Sequence, residues 1–265
     1  MEDAKKAVEL PTDEQSETVK CPACGNTIRA NSILCRHCNS ELRAVDLLLP
    51  PLNTEPIKKF QVADCDFEEM IKELEEGNRT CCLKIRNDDV LSRAAILLYR
   101  GRAVGCVYAN KGTPESFITE EALKKAVKDL SLPNTFVSIY DLPDALAGAN
   151  SALFMGYRVS RGDHYEPRAY MDYIRDWSKS KNATGCILVS LPNGKHHFGY
   201  IYLGKFVGSF SVEDQIFTED DSILQELIKK EDGIQLDVNM LPFELTGSAP
   251  SCGHSLRVAF KQMNC

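Results

Sequence analysis

Positive charge, long apolar runs and familiar catalytic motifs are all in short supply in this chain. Its 265 residues hold 31 lysines and arginines against 38 aspartates and glutamates, a formal net charge of −7. A general binder of nucleic acid or anionic membrane needs a cationic excess to displace counterions, so the composition disfavours both classes. No apolar run approaches the ~20 residues a helix needs to span a bilayer. The first residues, Met1-Glu2-Asp3-Ala4-Lys5-Lys6, have no cationic start leading into an apolar core, so no secretory signal is read. A soluble, cytoplasmic protein is expected. Gly112-Thr113-Pro114 is not followed by the Gly-Lys-Ser/Thr of a phosphate-binding loop, and neither Gly-x-Ser-x-Gly nor His-Glu-x-x-His occurs. No catalytic residues are assigned, and the chain is read as a non-enzyme.

Cysteine, in contrast, is plentiful, with 11 in the chain. Four of them, Cys21, Cys24, Cys35 and Cys38, fall in the pattern C-x2-C-x10-C-x2-C. Two such knuckles supply four soft thiolates for tetrahedral zinc and leave no open coordination position, so a structural zinc ion is expected. A segment this short cannot bury a sufficient core, and metal binding would supply its folding energy. His37, inside the second knuckle, is read as solvent-facing. The Cys-Pro-x-Cys-Gly start and Cys-x-x-Cys close resemble the zinc ribbons found at the N-termini of bacterial proteins. Arg29, Arg36 and Arg43 make the segment locally positive but lack the interleaved aromatics of a nucleic-acid footprint. The other cysteines are read as reduced and mostly buried.

The domain plan follows from composition and from an internal repeat. Residues 1–20 read as an acidic flexible tail, 21–43 as the zinc-binding segment and 44–60, with Pro50-Pro51 and Pro56, as a stiff linker. Tyr99-Arg100-Gly101-Arg102-Ala103-Val104-Gly105 then returns as Tyr202-Leu203-Gly204-Lys205-Phe206-Val207-Gly208, at a constant spacing of 103 residues. Each copy reads as a tight hairpin, with Gly101 and Gly204 at positive φ and Gly105 and Gly208 marking a bulge or close contact. Around it, each copy spells helix, three strands, helix, strand and a closing strand. Phe67, Met70, Ile71 and Leu74 in the first opening helix are answered by Tyr173, Ile174 and Trp177, and Arg158-Val159 by Arg257-Val258. Pro114 is read as opening the second helix of the first copy. The expected fold class is α+β, with two duplicated domains, 61–160 and 163–265, of mainly antiparallel sheet.

The run of opening helix, Thr-Gly-like turn into a strand, and aromatic-x-Gly-cation motif resembles the N-terminal domain of PatA-type bacterial response regulators (PATAN). The resemblance covers residues 60–160 and again 163–265, most clearly at Gly101-Arg102 and Gly204-Lys205, although Cys106 and Ser209 stand at or near places where that family usually has alanine. It implies a non-catalytic interaction module in bacterial signalling, with Arg102 and Lys205 on hairpins offered to a protein partner. The function expected is therefore a signalling adaptor that binds a protein partner, with homo-oligomerisation left open. The alternative is a regulator whose zinc segment contacts RNA or DNA. Weaker candidate sites, Glu219-Asp220-Asp221, His196-His197 and Cys252-Gly253-His254, read as helix entry, strand and polar loop.

Overall fold

The computed structural model describes residues 18–21, 24–29, 37, 55–110, 113–116, 119–160, 166–193, 195–212, 214, 216–230, 232–246 and 248–263. The chain divides into two compact units, Met1–Ala44 and Val45–Cys265.

In the smaller unit, β1 (Thr18–Lys20) pairs antiparallel with β2 (Thr27–Arg29). The end of the stretch read as an acidic tail is thus a strand. Between the strands the chain turns tightly: the Gly25 N–H donates to the Cys21 carbonyl at 2.8 Å, and Gly25 holds φ +71°. Cys21 is buried with Ile28, whereas Cys24 is exposed and its Sγ accepts from the Asn26 side chain at 3.3 Å. Cys35, Cys38, Arg36, Arg43 and most of the linker lie outside the described residues.

The larger unit is α+β and contains two six-stranded, wholly antiparallel sheets. Its elements run β3 (Lys58–Gln61), α1 (Phe67–Glu76), β4 (Cys81–Asn87), β5 (Ser92–Tyr99), β6 (Arg102–Asn110), β7 (Thr113–Ser116), α2 (Thr119–Asp129) and β8 (Thr135–Asp141). The chain continues through α3 (Asp144–Met155), β9 (Tyr157–Arg158), α4 (Pro167–Lys181), β10 (Gly185–Ser190), β11 (His196–Tyr202) and β12 (Lys205–Ser211). It ends with β13 (Ile216–Thr218), α5 (Ser222–Lys230), β14 (Gln235–Met240) and α6 (Leu256–Met263). The first sheet has the order β3-β8-β4-β5-β6-β7 and the second β9-β14-β10-β11-β12-β13, so the two follow one plan.

Local chemistry explains the elements. Asp66 caps α1, its Oδ1 accepting the Glu69 N–H at 3.0 Å, and Phe67, Met70, Ile71 and Leu74 bury one helical stripe. That stripe joins α2, the C-terminal α6 and one face of the first sheet (Leu83, Ile85, Ile96, Leu98, Val137, Ile139) in a single core. A second core lies between α4, α5 and the second sheet. The helix between the sheets, α3, is buried over Leu146, Ala147, Gly148, Ala149, Asn150, Ser151 and Ala152, and it contacts β5 and β6 of one sheet and β10, β11 and β14 of the other. Its small side chains let two strand surfaces approach one helix axis, and a helix buried on all sides shows no amphipathic stripe.

The hairpins repeat closely. Arg100 and Gly101 hold φ +49° and +76°, and Leu203 and Gly204 hold +48° and +75°, the two successive positive values of a type I′ turn. The Gly101 N–H donates to the Arg79 carbonyl and the Gly204 N–H to the Ala183 carbonyl, both at 2.8 Å. The strand register slips between Leu97 and Leu98 and again between Tyr200 and Ile201. Gly105 lies against the Phe154 ring, where an added Cβ would sit 2.3 Å away, and Gly208 lies against Phe217 in the same manner.

Several expectations need correcting. Tyr157-Arg158 does not close the first half: β9 pairs with β14 and takes, in the second sheet, the place β3 takes in the first. Arg257-Val258 is helical, so its match to Arg158-Val159 is only a likeness of letters. Pro114 lies in β7, an edge strand, where a missing N–H costs no ladder bond, and α2 begins at Thr119. Tyr173 is 36% exposed; α4 instead buries Tyr170, Met171 and Ile174, with Trp177 at the rim of the core. Helices α3 and α6 had no counterpart in the sequence reading.

Candidate functional site

Strand periodicity puts every second residue of β4, β5 and β8 on the side of the first sheet away from its helical core. That side carries Cys82, Lys84 and Arg86 from β4, Arg93, Ala95 and Leu97 from β5, and Phe136, Ser138 and Tyr140 from β8; Lys59 and Gln61 of β3 continue it. Helix α3 packs over the β5–β6 part of this face. Beyond it, Lys59 and Arg86 are exposed, and Lys84, Phe136, Ser138 and Tyr140 are half-buried.

Register fixes how these groups meet. Arg86 lies opposite Phe136 and opposite Arg93, Lys84 opposite Ser138, and Cys82 opposite Tyr140. The Lys84 ammonium stands 4.5 Å from the centre of the Tyr140 ring, and the Arg86 guanidinium 5.0 Å from that of Phe136. Cations over aromatic faces at such distances gain roughly 0.5–1 kcal/mol each where water reaches them. Asp88, in the β4–β5 turn, sits 3.5 Å from Arg86 and 3.3 Å from Arg93 and offsets part of the charge. The remainder is an open sheet surface of cations interleaved with rings.

The second sheet offers a direct comparison. Its strand pairs Cys186–Asn239, Leu188–Asp237 and Ser190–Gln235 stand where the first has Cys82–Tyr140, Lys84–Ser138 and Arg86–Phe136, and His196 stands where the first has Arg93. On the same plan, the second sheet has neither the two rings nor the three cations at these positions.

Among the residues singled out from sequence, Arg102 and Lys205 are exposed and open β6 and β12. The turns before them lean on helix ends: a Cβ on Gly101 would lie 2.6 Å from the Glu75 carbonyl oxygen, and one on Gly204 2.9 Å from the Lys179 Cα. The two hairpins also meet, Tyr99 and Tyr202 placing their hydroxyls 3.4 Å apart. Asp220 serves α5 as expected of a helix entry, accepting from the Ser222 N–H (3.0 Å) and hydroxyl (2.6 Å), which holds its carboxyl below the usual range. Asp221 pairs with Arg175 at 2.7 Å. Burial raises the Cys81 thiol to about 12 and pushes Cys106 and Cys186 higher still, which keeps these thiols protonated and unreactive. A shallow depression of about 570 Å³ at Arg79, Thr80, Asp141 and Asp144 is closed electrostatically by its own pairs, Arg79–Asp141 at 2.6 Å and Arg100–Asp144 at 2.7 Å. The metal-binding module expected of the N-terminal segment is not shown. Among the described residues no three of His, Cys, Asp and Glu come together to hold a metal, and only Cys21 and Cys24 of the set are described.

A family model described as "Uncharacterized protein conserved in archaea (DUF2226)" matches residues 51–148. That span is similar to an archaeal family. It overturns the likeness to PatA-type regulators and to bacterial zinc ribbons, and the bacterial setting with it: the short aromatic-Gly-cation motif is a type I′ hairpin signature that unrelated sheets share. The match includes β3 to β8, and so the whole cation-and-ring face, and stops within α3. Neither the curated proteins nor the solved structures contain a match to the chain.

The sequence reading missed this face because its members are far apart, at positions 59, 84, 86, 93, 136 and 140. A signal was present: Lys84 and Arg86 alternate with Leu83 and Ile85, which sets two cations on one side of a central strand.

Proposed function

We propose that the protein is a non-catalytic adaptor whose binding surface is the open face of the first sheet, and that this surface takes an anionic partner. The reading rests on one observation: two sheets of the same plan differ there, Lys84, Arg86, Arg93, Phe136 and Tyr140 in one against Leu188, Ser190, His196, Gln235 and Asn239 in the other. A cation costs solvation and side-chain entropy on a half-covered sheet, and a fold that manages without it in one half has no structural need of it in the other. We further propose that the halves arose by duplication of a unit of about 100 residues. The matching turn dihedrals, register slips and strand orders support this. In this account the second half is the scaffold that holds α3 against the first. Arg102 and Lys205 lie outside the proposed surface.

The spacing of Cys21, Cys24, Cys35 and Cys38 supports a bound zinc ion as a separate proposal, with the four thiolates as its ligands. Buried, protonated thiols fit a reducing compartment such as the cytoplasm.

The test is retention on immobilised heparin, a generic polyanion. The wild-type chain should elute at clearly higher salt than Lys84→Glu/Arg86→Glu, while Lys205→Glu elutes with wild type. Co-elution of the double variant with wild type would refute the assignment of the surface.

A further inference from the structure

We infer that the occupant of this face is single-stranded nucleic acid. The inference rests on the reading above that the open face of the first sheet is the binding surface, and adds the chemistry of the ligand. An acidic protein would be satisfied by cations alone. Here the cations alternate with half-buried planar rings, each with a cation over its face, and aromatic rings paired with cations are what unpaired bases and their phosphates engage together. Phe136 and Tyr140 are four residues apart on one strand, about 13 Å along it. Bases stacked as in a duplex rise only ~3.4 Å, so two rings at this spacing engage bases of an opened strand and not adjacent stacked ones. Lys84 and Arg86 lie over these rings, 4.5 and 5.0 Å from their centres, on long side chains that can swing to a phosphate as a base takes the ring face, and the exposed Lys59 extends the positive track across β3. Ser138 and Gln61 lie on the same face with polar groups beside the rings. The overall charge of −7 does not oppose this, because Lys59, Lys84 and Arg86 lie together on one face and the Asp88 carboxylate near them is in the turn at its rim. A negative remainder of the molecule favours one defined track over diffuse coating.

The experiment is fluorescence anisotropy of the full chain with labelled 12-nucleotide oligo(U) and oligo(dT), each repeated with the matching duplex. Binding to single strands is expected to weaken about 20- to 50-fold between 50 and 200 mM salt, as three to four neutralised phosphates require. Tyr140→Ala should cost roughly 5- to 150-fold in affinity, the range for removing one stacking platform. Lys59→Glu, on an exposed edge-strand residue with little bearing on folding, should weaken binding, and Lys205→Glu, of equal charge change, should not. Equal loss in Lys59→Glu and Lys205→Glu would mean diffuse electrostatics and overturn the inference. So would preference for duplex, or oligonucleotide affinity untouched by Tyr140→Ala in a variant whose circular dichroism and melting remain those of wild type. If heparin retention depends on Lys84 and Arg86 but the face binds an acidic peptide such as oligo-glutamate and no oligonucleotide, the inference fails while the surface assignment stands.

Discussion

At the scale of single residues, the most demanding positions are the glycines of the two turns. At φ +76° and +75°, with a carbonyl oxygen or a Cα under 3 Å from any added Cβ, neither Gly101 nor Gly204 has room for a side chain. Gly101→Val and Gly204→Val are each expected to lower stability by ~1–3 kcal/mol, read as a shift of the urea midpoint. Wild-type midpoints would remove the strain argument. Asp129 poses a different question. It is buried, accepts from the Ser92 hydroxyl, and burial raises its pKa. A carboxyl raised in the folded state keeps a proton that the unfolded chain has already released. Stability from this group therefore falls as pH rises from the ordinary carboxylate range through the folded value. Asp129→Asn, which cannot ionise, should gain on wild type across that window when thermal melts are compared at a series of pH values. A difference independent of pH would show that Asp129 does not titrate between the two states.

At the scale of elements, α3 is the piece on which the two sheets depend. Gly148 faces the pair of tyrosines at the meeting of the hairpins: a Cβ there would lie 3.0 Å from the Tyr202 ring and 3.6 Å from that of Tyr99. Gly148→Leu must displace both rings, and overpacking of this kind costs ~1–3 kcal/mol. Differential scanning calorimetry should show a lower melting temperature for the whole larger unit as one transition, because the helix belongs to both halves. Two separated transitions, with only one shifted, would mean that α3 is not shared. The C-terminal helix α6 adds a second link: it packs on α1 and α2, and Glu75 accepts from the Ser255 hydroxyl at 2.9 Å and the Arg257 N–H at 3.2 Å. The last element in the chain thus closes the core of the first sheet.

At the scale of the molecule, an acidic chain sets Lys84 and Arg86 on the open face of one sheet, and a second sheet of the same strand order has Leu188 and Ser190 at the matching positions. No helix among the described residues is long and apolar enough to cross a membrane. The two units, Met1–Ala44 and Val45–Cys265, are expected to respond separately to metal. Purified protein should contain about one zinc ion per chain if the four thiolates hold it. Cys24→Ser should then lose the zinc while the melting of the larger unit stays unchanged. Elemental analysis without zinc in freshly purified protein would refute the metal proposal, and a lowered melt would refute the independence of the units.

What the sequence determined by itself was whatever local chemistry controls. Gly101 and Gly204 in their turns, Asp66 at its cap, the buried stripe of α1 and the apolar runs of the strands are each dictated by backbone sterics or by a short period, and each is legible within a few residues. Tertiary structure decided the rest. Helix α3 was invisible because burial on every side erases amphipathic contrast, so its run of alanine, glycine and asparagine has no stripe to read. The exchange of β9 into the second sheet depends on which edge is free once α3 has crossed the molecule, and two residues of strand carry no such information. The candidate face is likewise a product of pairing: Lys59, Arg86 and Phe136 become neighbours only through strand register, which long-range packing sets.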